Sequence, residues 1–223
     1  MKLLLAVLVT LIVTNTFCQS DTINQKDMNG RKQGHWIYYG KDRPEAGYPS
    51  EGKIEEGPYL NDRKEGVWIK YYNDGVTPKF TATYHNNRPC GPYKKIGGSN
   101  IVLEEGNFRS NHYVGVKATY YDDGQLKQWV KYNNSGLELD TSYYYFPNGC
   151  KEIEIHYEEP GVHYKSIRYL ADSCNKVRET IIYDEESKQR ARDHNKVYLS
   201  NRRYFRENGT IKDSSDCGHM KRE

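Results

Sequence analysis

An internal repeat constrains this chain more than any other feature of its sequence. The pattern N-x-R-K-x-G-x-W-I-x-Y occurs at residues 29–39 and again at residues 61–71, and weaker copies begin at Asn86 and Ser110. The glycines of the last three copies stand at positions 66, 91 and 115, so the copies are 25 and 24 residues apart. Such a period is typical of repeat architectures, in which each unit buries its apolar face only against its neighbours.

A second anchor recurs with the same period. Aromatic residues followed by a turn sequence occur at residues 71–75, 120–124 and 144–149, in a degenerate form at 169–173, and again at 204–209. The turn positions Gly124, Gly149 and Ser173 are again 25 and 24 residues apart. Two independent anchors therefore give one repeat length.

Between the anchors, residues alternate with a period of two. Val67 and Ile69 alternate with Trp68 and Lys70, and the same alternation runs through residues 126–132. This pattern is typical of half-buried strands, and the Asp-Gly and Asn-Gly pairs favour tight turns. The sequence therefore predicts an all-β fold, in which stacked β-hairpin repeats of about 24 residues form an elongated, twisted antiparallel meander sheet.

The units resemble MORN repeats, and more closely the bacterial MORN-repeat-variant family, some members of which are labelled antitoxin-like. The family's repeat looks like Y-x-N-G-x-x-x-G-x-W-x-x-Y-Y-x-x-G, and residues 61–75 carry most of that pattern. The resemblance covers about residues 29–160 and implies stacked hairpins. It is specific for architecture and says little about function.

The N-terminus predicts export. Met1 and Lys2 precede a mostly apolar run from Leu3 to Val13, which is too short for a bilayer-spanning helix of about 20 apolar residues. Such a run is typical of a secretory signal peptide, here residues 1–18, with cleavage after Cys18. Lipidation of Cys18 is the alternative, which the bulky Phe17 disfavours. The mature protein is then expected to be periplasmic or secreted.

The rest of the chain divides by its agreement with the repeat. We expect an N-terminal linker at residues 19–28, MORN-like hairpins at 29–160, degenerate repeats or a cap at 161–213, and a flexible tail at 214–223. The charged insert at residues 184–195 fits a short helix or a solvated loop, and we favour the loop. Residues 40–49 lengthen one hairpin loop.

Four cysteines remain after cleavage, and an even count in an exported chain permits disulfides. Cys150 and Cys174 each directly follow a turn position and are one repeat apart. Equivalent residues of neighbouring hairpins lie about 10 Å apart, whereas a disulfide needs Cα atoms roughly 4.4–6.8 Å apart. A bridge between them therefore requires the sheet to twist or a loop to bend inward. A second bridge between Cys90 and Cys217 has no support from spacing, and free or buried thiols are the alternative to disulfides.

Composition excludes several classes of function. Aromatic residues make up 13% of the chain, which argues against disorder. The net charge of +3 is too small for a dedicated nucleic-acid binder. His156 and His163 flank Glu158 and Glu159, but this spacing arises easily by chance. We expect no integral membrane span, no metal, no cofactor and no catalytic residue.

The aromatic residues are the remaining candidates for function. Periodic aromatic side chains usually pack on those of the next repeat and form the core, which is the interpretation we favour. A row that faces outward would instead bind a partner. The candidate binding surface comprises Trp36, Trp68, Trp129, Tyr38, Tyr72 and Tyr121. These features predict a non-enzymatic scaffold that binds an unknown protein partner. The family resemblance implies one version of this function, in which the scaffold acts like an antitoxin. The alternative is an envelope glycan-binding module.

Overall fold

The computed structural model describes the backbone of residues 22–204 and the side chains of residues 22–196. Over the described residues the chain forms fourteen strands and one α-helix. The strands are β1 Gln25–Lys26, β2 Lys32–Tyr39, β3 Lys53–Leu60, β4 Arg63–Lys64, β5 Gly66–Tyr71, β6 Pro78–His85, β7 Arg88–Ile96, β8 Val102–Arg109, β9 His112–Tyr120, β10 Leu126–Tyr132, β11 Glu138–Tyr145, β12 Lys151–Glu159, β13 Val162–Leu170 and β14 Ser173–Ile182, and the helix is α1 Glu185–Tyr204.

The strands form one antiparallel meander, as the repeat predicts. Each strand pairs with the next along the chain from β1 to β14, except that the two-residue β4 pairs only with β3 and β5 continues the sheet beside it. β1 and β14 stand at the two edges, so the sheet is open. The prediction of stacked β-hairpins is confirmed.

Two kinds of turn close the hairpins at opposite ends of the strands. At one end, Asp-Gly and Asn-Gly turns reverse the chain, and the Gly75 N–H donates to the Tyr72 carbonyl oxygen at 2.9 Å with φ +72° at Gly75. At the other end, two adjacent residues adopt positive φ, as in Asn61 (51°) and Asp62 (65°). Asparagine and aspartate tolerate this conformation better than other side chains, which explains their recurrence at the turns.

The repeat in three dimensions comprises two hairpins, or 49 residues. Glu56, Glu105 and Glu154 occupy equivalent strand positions at this spacing, and Tyr71, Tyr120 and Tyr169 do the same. Each of these tyrosines forms a side-chain hydrogen bond with the corresponding glutamate. The same tyrosine–glutamate hydrogen bond therefore recurs every four strands along the sheet.

The sheet is a single layer with two distinct faces. One face, here called the aromatic face, carries a row of packed rings. Ring centroids lie 5.8 Å apart for Trp36 and Tyr59, 4.9 Å for Tyr59 and Trp68, and 4.3 Å for Tyr93 and Phe108. The opposite face, here called the flat face, carries Val67, Glu105, Val116, Trp129 and Tyr143. The most deeply buried side chains lie mainly on the aromatic face, where Trp68, Tyr93 and Val130 are at most 1% exposed.

The charged insert forms a helix, so the prediction of a loop over residues 184–195 is wrong. Asp184 caps the helix, since its Oδ1 accepts a hydrogen bond from the Ser187 N–H at 2.8 Å. Arg192 Nη2 then reaches Glu158 of β12 at 2.7 Å, and Lys188 Nζ reaches the same carboxylate at 2.9 Å. Among the described side chains, these ion pairs connect α1 to the sheet.

The predicted linker, the lengthened loop and the region beyond residue 160 all contain regular structure. Gln25 and Lys26 lie within the predicted linker but pair with β2. The lengthened loop after β2 contains two 3-10 turns, Gly40–Asp42 and Pro44–Ala46. The meander continues beyond residue 160 through β13 and β14. The predicted signal peptide, the lipidation alternative at Cys18, and the predicted tail lie outside the described residues.

Candidate functional site

Trp36 and Trp68 belong to the packed interior of the aromatic face. Their side chains are 8% and 1% exposed. The Trp68 indole N–H donates to the Pro58 carbonyl at 2.9 Å, and Trp36 donates to the carbonyls of Gln25 and Gln33. Both rings are thus fixed by packing and by hydrogen bonds, which is the core role that the sequence favours over partner binding.

Tyr38 lies next to Trp36 beneath a lysine side chain. Lys32 Nζ donates to the Tyr38 hydroxyl at 2.6 Å and stands 4.9–5.2 Å above the ring centroids of Trp36, Tyr38 and Tyr59. Lys64 covers Trp68 in the same way, at 3.8 Å from the ring centroid. These cation–π contacts cover the rings, so this part of the aromatic face offers no open stacking platform.

Tyr72 and Tyr121 connect neighbouring hairpins. The Tyr72 hydroxyl donates to the Ile96 carbonyl at 2.7 Å, and the Tyr121 hydroxyl donates to the Tyr145 carbonyl at 2.6 Å. Each bond reaches a carbonyl 24 residues further along the chain. The hydroxyls therefore join one hairpin to the next, a structural role that the period alone did not reveal.

Trp129 lies on the flat face, opposite Trp36 and Trp68. It is half-buried and packs on Tyr143 with ring centroids 5.9 Å apart. The six candidate residues therefore do not form one surface. The residue that stands 49 positions after Trp68 is Lys117, so Trp129 is not its equivalent.

The structure joins Cys150 and Cys174 in a disulfide, with Cα atoms 5.1 Å apart. The required inward bend is present, because Ser173 pairs with Leu170 while the next paired residue of β14 is Val177, and the residues between them bulge from the ladder. Asn148 Nδ2 also donates to the Ala171 carbonyl at 2.8 Å, which brings the two turns together. Cys90 is buried; its proposed partner Cys217 lies outside the described residues.

The flat face carries a row of exposed apolar side chains near one end of the strands. Val67 and Val116 are equivalent residues of the 49-residue repeat, and their side chains are 57% and 39% exposed. Pro92 on β7 is also exposed, and Tyr164 on β13 is 37% exposed. We call Val67, Pro92, Val116 and Tyr164 the apolar row. It spans eight strand intervals, or roughly 38 Å.

Glutamates paired with tyrosines and lysines recur on both faces. Tyr93 donates to Glu104 at 2.7 Å, and Lys95 Nζ lies 3.1 Å from the same carboxylate. Burial opposes ionisation of Glu104, but these two bonds outweigh burial and lower its pKa. Burial and the bond to Glu104 raise the pKa of Tyr93. The pair is therefore a carboxylate held by a neutral phenol at neutral pH.

A cleft of about 420 Å³ lies between α1 and the aromatic face. Its walls come from β10 and β11, from the β12–β13 hairpin and from the helix. The lining residues are Tyr132, Gly136, Leu137, Glu138, Ile155, Tyr157, Gly161, His163, His194 and Asn195. The sequence does not reveal this site, because residues 184–195 favour a loop where α1 forms the outer wall.

Glu138 is the charged group of the cleft. Tyr157 donates a hydrogen bond to Oε2 of Glu138, and the Tyr132 hydroxyl lies 3.4 Å from Oε1. Burial and the bond to Glu138 raise the pKa of Tyr157. Within residues 22–196, no lysine, arginine or histidine nitrogen forms an ion pair with Glu138.

The histidines around Glu158 and Glu159 do not converge. His156 lies on the flat face, with Nε2 at 3.3 Å from Glu154. His163 packs edge-on against Tyr183, with ring centroids 4.2 Å apart, and lines the cleft. In the part of the chain that the structure describes, no group of three or more His, Cys, Asp or Glu side chains is placed to hold a metal ion.

The fold and these features define a single-layer β-hairpin repeat protein with two candidate binding regions, the apolar row and the cleft. Comparison of the chain with protein-family models gave no match. Comparison with curated proteins also gave no match. Over the described residues, no helix is long and apolar enough to cross a membrane.

Proposed function

We propose that this protein is an exported, non-enzymatic repeat scaffold that binds another protein across its flat face. The observation that carries the proposal is the apolar row, in which Val67 and Val116 occupy equivalent positions of the 49-residue repeat and are both exposed. Isolated exposed valines are ordinary. Here apolar side chains recur on alternate strands of one face, with Thr83 on β6 and Asn107 on β8 between them, and so offer a partner a line of apolar contacts.

The surroundings of the row suit a protein interface. Lys94 pairs with Glu105 at 3.2 Å, and Lys131 pairs with Asp140 at 2.5 Å, both at the surface. Protein interfaces typically combine an apolar centre with a polar rim. The partner expected here presents an elongated apolar ridge with charged residues along its sides.

The disulfide supports the export part of the proposal. Structural disulfides persist mainly in oxidising compartments such as the periplasm or the extracellular space. The bridge between Cys150 and Cys174 fits that environment and the predicted signal peptide at residues 1–18. An antitoxin-like role, which the resemblance to MORN-repeat-variant proteins suggests, is one form that partner binding would take.

We favour protein binding over glycan binding. A sugar-binding platform needs open aromatic ring faces, whereas Trp36 and Trp68 are buried and lysine side chains cover part of their row. Trp129 is half-buried beside Tyr143. The apolar row is built largely from aliphatic side chains, which suit a protein partner.

A cross-linked pull-down with residues 19–223 as bait, against envelope and secreted fractions of the source, tests the proposal. Val67→Glu and Val116→Glu are expected to lower recovery of a stoichiometric partner by at least about fivefold, because each places a charge in the interface. Val76→Glu is the matched control, since Val76 is 75% exposed in a turn away from the row. Equal recovery by all three variants, or no partner above background, would overturn the proposal.

A further inference from the structure

We propose that the cleft beneath α1 binds an alkylammonium group, with Glu138 as its counter-ion. This inference goes beyond the proposed function and does not depend on the apolar row. The shared chemistry is a primary ammonium on an alkyl chain, which a lysine side chain of a partner or a small free amine supplies equally.

Tyrosine-bonded glutamates elsewhere in the sheet each have a lysine partner. The Nζ–carboxylate distances are 2.9 Å for Lys53 and Glu56, 3.1 Å for Lys95 and Glu104, 3.2 Å for Lys94 and Glu105, and 2.6 Å for Lys151 and Glu154. Glu138 shares the tyrosine bond but has no such cation among the described side chains. Among the tyrosine-bonded glutamates, Glu138 is therefore the one whose carboxylate can take an ammonium group from a ligand instead of from a lysine of the described chain.

The carboxylate retains room to accept more hydrogen bonds. Each oxygen of Glu138 receives one tyrosine hydroxyl, from Tyr157 on Oε2 and from Tyr132 on Oε1. An ionised carboxylate has about four lone-pair sites, so about two stay available, and an ammonium group brings three donors. A charged ligand there would complete the same tyrosine–carboxylate–ammonium arrangement that the sheet uses internally.

The walls of the cleft suit the remainder of such a ligand. Tyr132 and Tyr157 line it with aromatic rings, which attract cations through their faces. Leu137 and Ile155 provide aliphatic surface for an alkyl stem. His163 and His194 are the groups at the cleft that can carry a positive charge. One carboxylate is too few oxygen ligands for a calcium site, which takes 6–8, so an organic cation fits better.

An NMR titration of ¹⁵N-labelled residues 19–223 tests the proposal without any protein partner. The probes are n-butylamine, Nα-acetyl-lysine N-methylamide and its Nε-acetylated, neutral form. The amide signals of Gly136 and Gly161, which line the cleft, report binding, and that of Gly98, in a distant turn, serves as the remote reference. Both amines are expected to bind in the millimolar range and to shift the cleft signals, and the neutral probe is not.

Glu138→Gln keeps an acceptor for the tyrosines and removes the charge, so it is expected to weaken amine binding by at least about tenfold. Glu105→Gln is the matched control, because Glu105 accepts a tyrosine hydroxyl on the flat face and already has Lys94. It is expected to leave binding unchanged. Spectra of both variants without ligand verify their folds.

The outcomes separate the two sources of the ammonium group. Binding of the lysine compound at least as tight as that of butylamine supports a partner's lysine, and binding of butylamine alone supports a small free amine. Equal binding of the neutral probe, equal loss in Glu138→Gln and Glu105→Gln, or no shift at Gly136 and Gly161 would overturn the proposal. None of these results bears on the apolar row, so the two proposals fail separately.

Discussion

Gly57 shows how single residues let this sheet pack its largest side chains. A Cβ atom at Gly57 would lie 2.5 Å from ring carbons of Trp68, which is 1% exposed and anchored through its N–H to Pro58. A contact this short forces the ring or the strand to move. The absence of a side chain at Gly57 is therefore what permits the indole to lie flat on β3.

Gly57→Ala is expected to lower the free energy of unfolding by about 1–3 kcal/mol, the usual cost of overpacking. Urea denaturation followed by tryptophan fluorescence measures it. Gly98→Ala is the control, since a Cβ there meets nothing within 4 Å, and a change below about 0.5 kcal/mol is expected. Equal midpoints for the two variants would contradict this account of the Trp68 contact.

At the scale of single residues, the sequence predicts which side chains of one strand lie on opposite faces of the sheet. Alternation within one strand correctly separates Val67 from Trp68, and Val130 from Trp129, onto opposite faces. It does not relate one strand's faces to those of another, because register shifts such as that between Leu126 and Gln128 change the phase. Alternation alone therefore does not reveal that Trp129 and Trp68 lie on different faces.

At the scale of elements, the hairpins were predictable and the helix was not. Turn residues and alternation are local signals, and they identified the strands. Helix α1 lacks the apolar stripe by which amphipathic helices are recognised, because Lys188 and Arg192 face the sheet and pair with Glu158. The cleft depends on this helix, so neither it nor the role of Glu138 was visible in the sequence.

Ion-pair docking makes α1 sensitive to the loss of one carboxylate. Glu158→Gln removes the carboxylate that Lys188 and Arg192 share and leaves Arg192 paired with Glu159. It is expected to speed amide hydrogen exchange in residues 185–196 by roughly two- to fivefold, since exposed ion pairs contribute about 0.2–1 kcal/mol each. Exchange measured by mass spectrometry tests this. Glu186→Gln is the control, because Glu186 is 81% exposed and pairs only with Arg190 of the helix itself. Equal exchange in both variants would show that other contacts hold α1.

At the scale of the whole molecule, the sheet is a linear series of strands in which contacts join adjacent strands. Over the described residues, each strand pairs only with the strands beside it, and no second sheet couples distant repeats. Stability in such an architecture is approximately a sum of local and nearest-neighbour contributions. A local change is therefore expected to have a local effect, which a compact two-layer domain would not show.

The disulfide between Cys150 and Cys174 tests that expectation, because it joins the turns of two adjacent hairpins. Closing a loop of this length stabilises by about 3 kcal/mol. The double variant Cys150→Ser, Cys174→Ser is expected to raise hydrogen exchange in β11–β14 by at least about tenfold, while β2–β5 of the same molecule stay unchanged and serve as the internal control. A uniform increase along the sheet would mean that the fourteen strands unfold as one cooperative unit, and the one-dimensional description would then be wrong.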